Sequence, residues 1–291
     1  MSSDLGQGPH IIMTKRFHFS SWLSASVVVI RSIVRHRRLT FELAKREVLD
    51  RYTGQLFGSA WAVFHPALTV LVFLFLFGAV LKLKAGGLNL PVNNDFTTYL
   101  LAGLLPWLVL QDVMARGPGL VVSNAHLVKQ VAFPLDVLPV KAIPQAFVVL
   151  VVGLSLLAIY TLLFIGPLHW TYLTLPLLIA LLALLCIGMA FFLAALGVFA
   201  RDLKDIVQAL SFVGLYISPI FYTIDSVPPE LQLLVLMNPF TAVIFSFQDA
   251  LFYGAFTHPW AWCIFAALSF ASFIIGARVF SSTQHYFGSY L

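Results

Sequence analysis

Charge is what this chain has least of. Asp, Glu, Lys and Arg make up 10% of its 291 residues, against about 25% in soluble domains, so water cannot be its main solvent. Cysteine is almost missing. Cys186 and Cys263 both fall inside apolar stretches, where they act as small hydrophobes and offer no disulfide framework. The eight histidines show no HExxH or comparable ligand spacing; His65 and His126 read as hydrogen-bonded or interfacial residues, and no metal site is expected. Also absent are a GxxxxGK[ST] phosphate loop, a GxGxxG after a strand and a GxSxG elbow. The chain is therefore not expected to be an enzyme or to hydrolyse ATP, and no cofactor is expected on it.

Hydrocarbon fills the space that charge leaves. Apolar residues account for 60% of the chain, and they gather into six stretches, 61–80, 96–111, 142–165, 172–200, 206–224 and 259–277. A bilayer core about 30 Å thick takes roughly 20 apolar helical residues, so the expected fold is an all-α integral membrane protein with six transmembrane helices. Span centres hold almost no charge, and Asp112 reads as a helix-end residue. Proton- and ion-coupled carriers need buried relays; their lack points to an external energy source.

The pI near 9.3 reflects an uneven distribution of basic residues rather than a nucleic-acid partner. Nine of the seventeen Lys and Arg precede Trp61, and six crossings would put Arg116, Lys129, Lys141, Arg201, Lys204 and Arg278 on the same side, leaving only Lys82 and Lys84 opposite. Basic residues are retained in the cytoplasm, so both termini are expected there. The organisation expected is a cytoplasmic N-terminal region over 1–60, a membrane domain over 61–280 and a tail over 281–291. Within the first region, 22–30 is too short to span, lacks a cleavage pattern behind it and is placed at the membrane surface. From 39 to 57 the pattern becomes helical and amphipathic. Phe41, Ala44, Val48, Leu49, Tyr52 and Leu56 share one stripe, with Glu42, Arg46, Glu47 and Asp50 opposite, as in helices that lie in the bilayer interface; a solvated helix packed on another domain is the alternative. Gly54 and Gly58 supply a bend before Trp61.

Between the fifth and sixth stretches, 226–230 carries Pro228 and Pro229, and the apolar run 231–237 ends at Asn238-Pro239 before the aromatic 240–252. Seven residues rise only about 10 Å, too little to cross. A re-entrant helical hairpin broken at Asn238 and Pro239 fits. One kinked seventh span is the competing reading, and it would strand Arg278 outside.

The run Arg51-Tyr52-Thr53-Gly54-Gln55-Leu56-Phe57-Gly58-Ser59-Ala60-Trp61 with His65-Pro66 resembles the entry to the first span in permease subunits of type 2 ABC exporters for O-antigen, capsule and teichoic acid. Leu127-Val128-Lys129, Phe133-Pro134 and Leu138-Pro139 resemble that family's cytoplasmic loop between spans two and three, and Arg201-Asp202-Leu203-Lys204-Asp205, Ser218-Pro219-Ile220-Phe221-Tyr222 at the end of span five, Val227-Pro228 and Asn238-Pro239 are further matches, in the same order over residues 40 to 280. The N-terminal extension before Arg35 is longer than that family needs.

The resemblance implies a homodimer with two copies of a separate nucleotide-binding subunit that carries ATP and Mg, in the bacterial inner membrane, with lipid-linked polysaccharide as cargo. It places the amphipathic helix as a gate (Arg46, Arg51, Tyr52) and the 124–139 loop against the ATPase (His126, Lys129, Gln130); a headgroup contact is the competing reading of each. A sugar polymer presents C–H faces that aromatic rings accept without demanding one hydroxyl pattern, and many weak sites let a chain slide. The channel candidates are Tyr99 and Trp107 on span two and Phe212, Tyr216, Phe221 and Tyr222 on span five. Among cargoes, O-antigen is favoured over capsule or teichoic acid. An exporter of drugs or lipids and a non-transporting scaffold are the other classes.

Overall fold

The computed structural model describes residues 19–50, 54, 57–80, 95–129 and 133–291. Every regular element among them is helical. Two helices, α1 (Phe19–Arg35) and α2 (Arg37–Asp50), precede the bundle. Gly54 and Gly58 then take φ of 84° and 52°, the left-handed conformation that a side chain resists, and turn the chain into α3 (Trp61–Phe73). This helix widens into π turns over Leu74–Val80.

At the centre stands α4 (Phe96–Arg116), started by Asp95, whose carboxylate accepts from the Thr97 and Thr98 amides. An acceptor there satisfies donors that the first helical turn leaves open. Short turns, α5 (Ala125–Val128) and α6 (Val137–Lys141) lead to α7 (Ile143–Phe164). Next come α8 (Leu175–Phe199) and α9 (Leu203–Ile217). The pair α10 (Pro229–Met237) and α11 (Pro239–Gln248) follows, then α12 (Pro259–Thr283) and a closing turn α13 (Phe287–Tyr290). Helix α4 is packed by α7, α8, α9 and α11, while α12 packs on α8, α11 and α1.

Four helical segments are long and apolar enough to cross a bilayer: Phe96–Gly119, Val137–Phe164, Trp170–Phe199 and Pro259–Tyr290. The other two expected spans are shorter. Trp61–Phe77 falls below spanning length as a regular helix. The fifth stretch leaves helical geometry at Ser218, because Pro219 follows and the residue before a proline is pushed towards extended backbone. Helices α10 and α11 meet at 92°, the break expected at Asn238-Pro239. Proline can open α11 because a first-turn N–H has no helical partner anyway, and the Asn238 side chain caps the Phe240 amide at 3.1 Å.

Non-helical backbone inside this apolar bundle is satisfied by protein. The Tyr99 hydroxyl donates to the carbonyls of Pro219 (3.1 Å) and Tyr222 (3.0 Å), and the Gln248 amide donates to Pro219 (3.0 Å). The Asn238 amide donates to the Ser218 hydroxyl at 3.0 Å. The far end of the bent pair is held by Asp249, which is fully buried and accepts from the His258 amide, the His258 ring and the Trp262 indole at 2.9, 2.9 and 3.1 Å.

The α8–α12 contact depends on small residues, as helix pairs in lipid often do. A side-chain carbon on Gly276 would sit 2.1 Å from the Gly188 carbonyl oxygen, and one on Gly188 would sit 2.3 Å from Ser272 backbone. Gly276→Val should therefore push the helices apart and cost about 1–3 kcal/mol, read as a lower melting temperature of the purified protein in detergent. Gly119→Ala, where nothing lies within 4 Å of the added carbon, should melt with the parent.

Candidate functional site

Helix α9 turns an aromatic strip outwards. Phe212 and Tyr216, spaced i, i+4 so that they share a face, are 58% and 57% exposed, with ring centres 5.3 Å apart. Tyr216 continues onto Phe221 at 5.8 Å and an interplanar angle of 23°. Three of the expected channel rings thus form one continuous track. Tyr222 is half-buried, and its hydroxyl donates to the Ile217 carbonyl beneath the track.

Tyr99 and Trp107 are not part of that surface, and their expected place on a channel wall is corrected. They are 1% and 0% exposed, because α4 is covered by neighbours on every side. Trp107 lies edge-on to Phe240 at 5.7 Å, and a side-chain carbon on Gly214 would come within 2.7 Å of its ring. Its indole fills the space under α9 and sets how closely that helix approaches. Behind it an apolar cavity of about 480 Å³ runs between α4, α8, α9 and α10.

An ionic node lies at the end of the bundle where α2 meets α4 and α7. Glu47 of α2 sits 3.6 Å from the Arg116 guanidinium and 3.2 Å from the Lys141 ammonium. Arg116 also pairs with Asp112 and donates to the Gln145 side chain (2.8 Å) and the Ala142 carbonyl (3.0 Å). Lys141 donates to the Asn124 side-chain oxygen at 3.0 Å, carrying the network into the 117–129 turns. The polar edge of α2 therefore faces protein at Glu47, while Phe41 and Leu49 of its apolar stripe are exposed.

Arg46 and His126 border a shared cavity of about 420 Å³ between α2 and the turns, with Glu47, Asn124 and Lys141 in its wall. Lys129 is not in that wall; its ammonium donates to the Leu291 carbonyl at 3.0 Å. Arg51, Tyr52 and Gln130 lie outside the described residues. On the same loop, burial raises the Asp136 carboxyl above the usual range, opposed by a hydrogen bond from Ser32 of α1 and by the nearby His36 between α1 and α2. Among the described residues no three His, Cys, Asp or Glu side chains converge as metal ligands.

With an exposed aromatic track and a helix tethered to the bundle end by ion pairs, the chain was compared with known proteins. A family model described as ABC-2 type transporter matches residues 38–252. The chain belongs to the ABC-2 type transporter family. One relative is the O-antigen export system permease protein RfbA of Myxococcus xanthus, 26% identical over 77% of this chain and 84% of that protein. An RfbA of Klebsiella pneumoniae is 23% identical over 86% of this chain and 93% of its own length. The polysialic acid transport protein KpsM of Escherichia coli is 22% identical over 85% and 95%.

Within this transporter, Glu47, Arg116, Lys141 and Gln145 are the residues that reading the sequence missed. Their signal was present but unpaired: cations at two stretch ends and one of three carboxylates on a basic helix, some 70 and 90 positions apart. With Glu47 as the clasp, Glu47→Ala should lower stability by about 1–3 kcal/mol, the cost of leaving a buried polar partner unsatisfied. A double-mutant cycle of Glu47→Ala with Lys141→Met should show coupling of at least about 0.5 kcal/mol in detergent melting.

Proposed function

We propose that this chain is the membrane-spanning permease subunit of an ATP-driven exporter that moves a lipid-linked, O-antigen-like polysaccharide across the bacterial inner membrane. The reading is carried by the exposed track Phe212, Tyr216 and Phe221 on a chain of the ABC-2 family with O-antigen export permeases among its relatives. Aromatic rings in series suit a sliding saccharide, whose C–H faces stack on each in turn. Relatedness to a polysialic acid transport protein supports a second reading, a capsular polysaccharide as cargo.

The chain carries no phosphate-binding loop, so a separate subunit would bind ATP and Mg. Two copies of this chain, closed by a two-fold axis, would set two aromatic tracks face to face, with two ATPase copies at the ionic-node end. Six crossings, both termini in the cytoplasm and a re-entrant α10–α11 pair are supported by the basic asymmetry of fifteen residues to two and by the 92° bend. In this arrangement α2 with Arg46, Arg51 and Tyr52 would gate the entrance, and His126, Lys129 and Gln130 would meet the ATPase. Nucleotide-driven movement there would pass through Asn124 and Lys141 to Glu47.

Tyr216→Ala should reduce surface polysaccharide two- to tenfold at normal protein level, the loss of ~0.5–1.5 kcal/mol of stacking. Phe75→Leu, at an exposed ring in the π turns that follow α3, should export normally. Trp107→Ala should instead lower the amount of folded protein, since truncating a buried Trp costs about 3–5 kcal/mol. Equal export by the Tyr216 and Phe75 variants contradicts the assignment of the track.

A further inference from the structure

Beside the foot of the aromatic track, four helices turn polar groups into one cavity of about 340 Å³. His65 and Thr69 of α3, Gln111 and Asp112 of α4, Gln145 of α7, and Gln208 and Ser211 of α9 all line it. Counting from the ionic-node end of each helix at 1.5 Å per residue, these groups all lie within about 12 Å of that end. Four separate spans contributing polar residues near one end is an arrangement that packing alone does not require.

The chemistry of the cavity is neutral and rich in both donors and acceptors. Asp112 is already paired with Arg116, so an incoming cation finds its charge taken, and an anion would meet the carboxylate. Gln145 is 7% exposed. Its side-chain oxygen accepts from Arg116 at 2.8 Å, which fixes the amide, and its Nε2 has no hydrogen-bond partner. A buried donor left open costs free energy that an acceptor recovers. Gln111 and Gln208 each add an amide with donor and acceptor sides, while the Ser211 and Thr69 hydroxyls, which donate to the Gln208 and His65 carbonyls of their own helices, add acceptor lone pairs. Groups that both donate and accept, at close spacing and without net charge, match sugar hydroxyls. The volume lies at the low end of small-molecule sites, about 300–1,000 Å³, enough for a short saccharide. Gln208 precedes Phe212 by one turn on α9, so the cavity opens onto the first ring of the track.

We propose that this cavity is a saccharide-binding station, where hydroxyls of one neutral sugar unit are held by Gln111, Gln145 and Gln208 before the polymer passes onto Phe212 and Tyr216. The proposal rests on the polysaccharide-exporter reading and adds a defined site to it. Holding by amides sets position at the entrance, and stacking on rings then permits sliding without a second fixed register.

The test uses the full transporter with its ATPase in cells fed tritiated galactose and glucosamine. A diazirine amino acid replaces Val149, which lines the cavity one turn from Gln145, and in separate strains it replaces Tyr216 or the outward-facing Phe75. After illumination, tritium bound covalently to the purified subunit is counted. Label is expected at Val149 and Tyr216 and not at Phe75, and Gln111→Leu should lower the Val149 label about fivefold, the factor carried by one typical hydrogen bond. The label should disappear in cells that cannot make the surface polymer. Its persistence there means a membrane glycolipid occupies the cavity and overturns the assignment. Label at Tyr216 without label at Val149 overturns the station and leaves the exporter reading standing; label at neither position overturns both. Val149 label unchanged by Gln111→Leu overturns the amide contacts.

Discussion

Backbone that leaves a helix inside an apolar bundle must find its hydrogen bonds in protein, since hydrocarbon offers none. In this transporter the stretch after α9 meets that constraint through Tyr99 and Gln248, whose side chains both reach the Pro219 carbonyl. Much of the architecture follows. With its carbonyls taken, the chain can stop α9 at Ile217 and turn into the short α10. The 92° bend into α11 then rests on Asn238, which caps one helix and donates to Ser218 at the end of another. Asp249 closes the assembly by tying the far end of α11 to α12 through three hydrogen bonds. Tyr99, Gln248 and Asp249 are polar, buried and hydrogen-bonded, which is the form in which polar groups persist in membrane interiors.

The function drawn from this frame lies on what the frame leaves uncovered. Because α9 rests on the enclosed α4 where Gly214 meets Trp107, the rings of Phe212 and Tyr216 lie on its outer face. The two ends of α9 then differ in character. One adjoins a neutral polar cavity and the ionic node around Glu47; the other ends in the Tyr99-held turn and the bent helix pair. A polymer path with a polar entrance, a stacking track and a helical cap at its far end is the simplest use of that polarity.

The all-helical class, four of the expected crossings, the bend at Gly54 and Gly58 and the break at Asn238-Pro239 were legible in the sequence, because each depends on local composition or on glycine and proline geometry. Phe212 and Tyr216 were legible as neighbours through their i, i+4 spacing. Tyr99 and Trp107 were misplaced for a physical reason: periodicity reports that residues share a face but not what covers it, and α4 has no open face. The regular lengths of the first and fifth spans were overestimated, since apolar composition continues past the π turns at Leu74 and the loss of helix at Ser218. The Glu47 clasp could not be read at all. Its partners Arg116 and Lys141 lie on other helices, and charge sign alone does not reveal which distant residues meet.

The central claim is that polymer runs along the α9 rings between two copies of this chain. It is tested most directly by a structure of the assembled transporter and its ATPase, stalled with cargo in a bilayer mimic. The account predicts sugar density stacked on Phe212, Tyr216 and Phe221 of both copies. Sugar density along the α8–α12 pair, with the α9 rings facing lipid, would contradict it.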